Sequence, residues 1–193
     1  MNFKGFKLWG WSEISSSDEA ILSDHGAVKV EDYKDYHVSN GDMFSLAEQY
    51  PIGANSHHSF LFIPSSGEEF HLDAYGIVIS DGPAEVVLYE APFYDVNSLG
   101  TPMTDIHNRN RNSTKVMSAS LYLDPFIDVN SLGDHLDHSL QPASGGGVSK
   151  GSGNTGQGLQ MVLSDQKAYL FRVVNSGALA LMQMDIVGHK EVV

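Results

Sequence analysis

From Ala27 onward, apolar and polar positions alternate with period two in short runs rich in β-branched and aromatic residues, and Gly, Asn, Asp and Pro cut the runs apart. Successive side chains of a strand point to opposite faces, so this pattern predicts antiparallel strands. About ten are expected: Ala27–Glu31, Met43–Ala47, Ser59–Ile63, Glu69–Ala74, Gly76–Ser80, Glu85–Ala91, Lys115–Leu123, Leu159–Leu163, Ala168–Val174 and Ala178–Val187. That many strands in one domain predict an all-β fold, an antiparallel two-sheet β-sandwich or jelly roll. In Lys115–Leu123, Met117, Ala119, Leu121 and Leu123 share one face while Ser118, Ser120 and Tyr122 share the other, so one side of that strand should be wet. Asn175-Ser176-Gly177 tolerates positive φ and predicts a hairpin between the last two strands.

A local duplication interrupts this pattern. Leu88-Tyr89-Glu90-Ala91-Pro92-Phe93-Tyr94-Asp95-Val96-Asn97-Ser98-Leu99-Gly100 recurs 33 residues later as Leu121-Tyr122-Leu123-Asp124-Pro125-Phe126-Ile127-Asp128-Val129-Asn130-Ser131-Leu132-Gly133, with ten of thirteen positions identical. Two copies are too few for a solenoid. They predict two strand-to-loop corners of similar shape, Pro stopping each strand and Gly ending each turn.

The first 26 residues read as an N-terminal arm ahead of a sandwich domain at 27–193. Phe3, Phe6, Trp9 and Trp11 fall within eleven positions beside Lys4 and Lys7, and a polar Ser15-Ser16-Ser17-Asp18-Glu19 stretch follows. Such aromatics suit either a strap on the domain's own core or an arm docking into a neighbouring subunit. A length of 193 residues fits one domain, and 41% hydrophobic against 18% charged residues excludes wholesale disorder and coiled coil. A formal charge of -13 sets the surface against nucleic acid and anionic lipid. The absence of cysteine removes disulfides, zinc-thiolate sites and thiol nucleophiles. No apolar run reaches the 18 or so residues of a membrane span, and Met1 to Trp11 alternates Lys, Gly and aromatics rather than forming a signal core.

Motifs that resemble chemistry fail on context. Asp95 to Gly100 and its twin open like calcium loops, but Leu99 and Leu132 stand fifth and Ile106 and Ser139 twelfth where oxygen ligands belong, so Asx turns are expected. Asp134-His135-Leu136-Asp137-His138, with His57, His58, His71 and Asp73, offers weak candidates for a cupin-like metal centre, chiefly His135 and His138; exposed loop histidines are the simpler reading. Gly147-Val148-Ser149-Lys150-Gly151 has the letters of a nucleophile elbow but lies inside Ser144–Gly158, fifteen residues holding seven glycines, without the strand and helix an elbow needs. Lys150 also misses the P-loop position, so a long Gly-rich loop is expected. No cofactor and no catalytic residue is predicted.

Asn108-Arg109-Asn110-Arg111-Asn112-Ser113 contains two of the three arginines. In extended conformation Arg109 and Arg111 project to one face and the asparagines to the other. On so acidic a protein these guanidinium forks would find carboxylates, either within the subunit, pinning a long loop, or across an interface.

With this string the chain resembles a family of tailed-bacteriophage virion proteins, small β-rich particle components, from about Phe60 to Lys190. The marks are Ala84 to Ala91, the Gly100-Thr101 turn, Ile106-His107 leading into Asn108 to Ser113, a glycine-rich loop before Leu159 to Leu163, and the closing pair Ala168 to Asn175 and Met182 to Asp185. The second Pro-Phe corner, with its Asp134 to His138 tail, is longer than the family pattern. The resemblance implies a non-enzymatic decoration or cement protein on the capsid surface, made in the host cytoplasm. Its partners would be the major capsid protein and copies of itself, as a trimer. Two other stations compete: a head-to-tail or tail-associated structural protein, and a carbohydrate-binding module in which Trp9, Trp11 or loop tyrosines stack on host glycans. A metal-dependent cupin enzyme comes last.

Overall fold

The computed structural model describes residues 33–80, 82–141 and 161–192. The arm, the strand expected at Ala27–Glu31 and the Gly-rich loop with Ser149 and Lys150 lie outside the described residues. The described strands belong to one compact unit, Lys34–Val193.

One short helix, α1 (Tyr33–Asn40), precedes eleven described strands: β1 (Met43–Ile52), β2 (Ser56–Ile63), β3 (Glu68–Ile79), β4 (Ala84–Glu90), β5 (Thr101–Pro102), β6 (Ile106–Asn108), β7 (Ser120–Leu123), β8 (Asp134–Gln141), β9 (Met161–Leu163), β10 (Tyr169–Asn175) and β11 (Ala180–Val192). They form two antiparallel sheets, ordered β6-β1-β11-β3-β9 and β5-β7-β2-β10-β4-β8. The fold is an all-β sandwich. Apart from the inserted β5 to β7, the chain alternates between sheets except from β4 to β8, which are neighbours in one sheet: β1, β3, β9 and β11 lie in one, β2, β4, β8 and β10 in the other.

Period two explains the core. Phe60, Phe62, Val86, Leu88, Phe171 and Val173 of the six-stranded sheet meet Leu72, Tyr75, Ile77, Ile79, Met182 and Met184 of the other, all at most 2% exposed. Each such side chain contributes roughly 1.5–3 kcal/mol of burial.

Three expectations need correction. The last two strands are not a hairpin: β10 and β11 sit in opposite sheets, and none of Asn175, Ser176 and Gly177 has positive φ. The fully buried Asn175 amide instead donates to the carbonyls of Gly53 (2.9 Å) and Ala178 (2.6 Å) and accepts from Gly177 N–H (2.9 Å), which steers the chain across the sandwich. Of Lys115–Leu123 only Ser120–Leu123 is a strand, although Met117, Ala119 and Leu123 do pack against the core, with Leu121 part of it. Asp134 to His138 is not a loop; it opens β8, the strand beside β4.

The duplicated segments form a pair of crossing straps related by a pseudo-twofold axis. Thr101 pairs with Leu123, and 33 residues later Asp134 pairs with Glu90, so each copy ends beside the start of the other. Reciprocal bonds join them: Phe93 N–H to Ser131 O, Phe126 N–H to Ser98 O, and a bridge between Tyr94 and Ile127. The same dyad exchanges β2 with β10, because Phe60↔Leu123 and Tyr169↔Glu90 are equivalent pairs, and it passes through the central pair Leu61↔Leu170. A twofold axis between antiparallel neighbours stands perpendicular to their sheet. The strap crossing therefore overlies the outer face at Leu61 and Leu170, and both are fully buried although they alternate with core residues.

Each strap begins at a residue with positive φ, Ala91 (53°) or Asp124 (51°), and ends at Gly100 (84°) or Gly133 (95°). A methyl group on Gly100 would run into the carbonyl oxygen of Leu123, and one on Gly133 into that of Glu90. Gly100→Ala and Gly133→Ala are each expected to destabilise by about 2–4 kcal/mol in denaturant unfolding, strain and clash together. Gly67→Ala, with φ of 81° but open space around it, should cost about 1 kcal/mol.

Candidate functional site

The straps present the most distinctive surface of the described residues. Around the Tyr94–Ile127 bridge, alternation turns Tyr94 and Ile127 towards the sheet and Phe93, Asp95, Phe126 and Asp128 away from it. Phe93 is 68% exposed and Phe126 64%, with Val96 and Val129 beside them at 68% and 65%. Asp95 and Asp128 each accept from the backbone N–H two residues on, Asn97 (2.8 Å) and Asn130 (2.9 Å). These are the expected Asx turns. Two apolar pairs flanked by carboxylates thus sit symmetrically about one axis. The signal was present in the duplication: Phe and Val recur in both copies at positions that tight turns leave outside.

The Asn108 to Ser113 string lies elsewhere, after β6 on the edge of the five-stranded sheet. It is not extended. Asn108 Nδ2 donates to the carbonyls of Gly41 (2.7 Å) and Lys115 (3.1 Å), its Oδ1 accepts from Asn110 N–H (2.8 Å), and Asn110 Oδ1 accepts from Asn112 N–H (3.0 Å). Asn110 Nδ2 reaches Ser39 O at 2.8 Å, which ties the loop to the end of α1. Two consecutive Asx turns replace the expected alternation. Asn108 and Asn110 therefore do the pinning. Arg109 and Arg111 are exposed, and among the described residues neither forms an ion pair. A groove of about 300 Å³ beside Arg111 is lined also by Phe44, Asn110 and Lys115.

The cupin-like grouping does not assemble. His57 and His58 lie on β2, whereas His71 and Asp73 lie on β3 of the other sheet. His71 instead stacks on buried His189 (centroids 4.6 Å apart), which stacks on His37 (4.0 Å) and meets Asp73 through Nδ1 at 2.9 Å. Rings stacked face to face do not aim their nitrogens at a common point. His135 and His138 lie on β8 with centroids 5.8 Å apart, and His138 pairs with Glu85 at 3.0 Å. No group of three or more potential ligands among the described residues could hold a metal ion. Tyr75, inside the sandwich, donates to Asp137 of β8, and burial pushes its hydroxyl pKa well up.

His58 ties β2 to the second strap. Its Nδ1–H donates to Asp124 Oδ2 (2.7 Å) and its Nε2–H to Pro51 O (3.0 Å), so both ring nitrogens face acceptors. The Asp124 bond raises the imidazole pKa above its ordinary 6.5, burial opposing. For Asp124 burial pulls upward, but His58 and the Ser59 N–H (3.0 Å) outweigh it and hold the carboxyl below its ordinary 3.8.

The chain matches no family model, no curated protein and no solved structure.

The His58–Asp124 pair carries a pH signature. A raised histidine pKa stabilises below the ordinary value and loses that contribution as pH rises through the raised one. A lowered aspartate pKa stabilises above the ordinary value and loses it as pH falls through the lowered one. The pair is therefore fully effective between about pH 4 and 6.5. His58→Gln should remove part of the stability the parent loses as pH rises above the ordinary imidazole value of 6.5 in thermal melts, a difference of at most about 1 kcal/mol because Asp124 is half exposed.

Proposed function

We propose that the protein is a structural component of a tailed-bacteriophage virion, a decoration protein that binds the outside of the head and bridges neighbouring subunits. The observation that carries this reading is the strap face, four large apolar side chains held out in duplicate on a rigid sandwich. Such a face suits contact with another protein better than chemistry on a small molecule. The alternation of strands between sheets, broken only where β4 and β8 pair in one sheet, supports a jelly-roll reading, a winding shared by viral capsid proteins, lectins and cupins. Among those the absence of a metal-ligand group in the described residues weighs against a cupin, and the Asn108 to Ser113 string weighs towards the virion.

The proposed mechanism is bridging. Exposed Arg109 and Arg111, anchored by asparagines beneath them, would form bidentate contacts with carboxylates of the major capsid protein or of another copy. Apolar contacts would add about 25 cal/mol per Å² before association costs, and many copies on one particle make weak single contacts sufficient. Copies joined as a trimer fit this role.

The test is immunogold labelling of intact particles from the same genetic source, with parallel binding of purified full-length protein to undecorated heads. Hundreds of copies over the head are expected. Six or twelve at one vertex would move the protein to the tail, and unlabelled particles with a positive glycan array would replace the proposal with carbohydrate binding. Arg109→Ala with Arg111→Ala should reduce head binding about tenfold or more while leaving the melting temperature unchanged.

A further inference from the structure

The first eleven residues and the strap face are complementary in size and in charge. The exposed parts of Phe93, Val96, Phe126 and Val129 amount to on the order of 400 Å² of apolar surface. A stable interface between two folded domains needs about 800 Å² per partner, so this face is the size of a seat for a segment. Asp95 and Asp128 stand on the same side of the strap crossing, and Asp134 opens the edge strand β8 directly after the second strap. Another strap face would bring carboxylates against carboxylates. The chain holds a better occupant: residues 1–11 contain Phe3, Phe6, Trp9 and Trp11 with Lys4 and Lys7 and no acidic side chain, in a protein with 24 acidic residues against 11 basic ones.

The duplication adds a second argument. Tight turns explain why Asp, Asn and Gly recur in both straps, because each makes a backbone contact there. They do not explain Phe93 and Phe126, or Val96 and Val129, whose side chains are about two-thirds exposed in both copies.

We propose that the strap face of one copy seats residues 1–11 of a neighbouring copy, the aromatics covering Phe93 and Phe126 and the lysines facing Asp95 and Asp128. This rests on the bridging role proposed above and names the contact that links copies. Segment-to-face contact is heterologous, and it ends in a closed ring when the rotation between copies permits, which agrees with a trimer.

The experiment is complementation with full-length chains. Phe93→Ser with Phe126→Ser breaks the face, where both rings are about two-thirds exposed, and Lys4→Glu with Lys7→Glu breaks the segment. The parent should self-associate in sedimentation, each double variant alone should associate at least about tenfold more weakly, and an equimolar mixture should recover a one-to-one pair. Trp9 and Trp11 are the only tryptophans, so intrinsic tryptophan emission reports the segment alone, and it should shift to longer wavelength in the Phe93→Ser, Phe126→Ser variant. A parent that stays monomeric, variants that associate like the parent, or a mixture that stays monomeric would each overturn the proposal. Head labelling separates the two ideas: decorated heads without complementation discard only this seat, and complementation with bare heads discards only the particle.

Discussion

A six-stranded sheet that is apolar at the centre of both faces must be covered twice, and this requirement organises the molecule. The inner face packs against the five-stranded sheet. The outer face carries Leu61 and Leu170 at its centre, and both are fully buried. Left open, those leucines would forfeit roughly 1.5–3 kcal/mol each. The two straps cover them by crossing at the dyad that relates β2 to β10, and the crossing is held by main-chain bonds from Phe93 to Ser131 and from Phe126 to Ser98. Near-identity of sequence is what makes such a crossing symmetric: one strap shape serves from both sides.

The same geometry places apolar residues outside. A strap in extended conformation that turns Tyr94 or Ile127 down to the sheet must turn Phe93 or Phe126 up, because neighbouring side chains alternate. Coverage of the sheet and exposure of the apolar pairs are thus one arrangement. The Asn108 to Ser113 loop follows a similar logic with polar groups, where asparagines bond inward to Gly41, Ser39 and Lys115 and leave two guanidinium groups facing water. The proposed decoration role calls for surfaces of this kind, pinned beneath and exposed above.

Much of the sandwich was legible from period two alone, since β1, β2, β4 and β10 are strongly alternating or continuously apolar runs. The duplication pointed to two similar turns with Pro and Gly at their ends, and the positive φ at Gly100 and Gly133 bears this out. What could not be read was partnership between distant segments. Asn175-Ser176-Gly177 has the residues of a hairpin turn, yet the buried Asn175 amide binds Gly53 and sends the chain to the opposite sheet. Asp134 to His138 carries too much polarity for a strand by pattern, and only its neighbour β4 makes it one. The extended reading of Asn108 to Asn112 missed that Asn108 and Asn110 each accept from the backbone N–H two residues on.

Native-state hydrogen exchange tests most directly whether the strap crossing is an integral part of the fold. If the straps close the outer face of the sheet, the amides of Phe93, Asp95, Phe126 and Asp128 should exchange with protection comparable to Leu61 and Leu170, through the same global opening. Exchange of those four amides at the rate of exposed loops, with β2 and β10 still protected, would contradict the account.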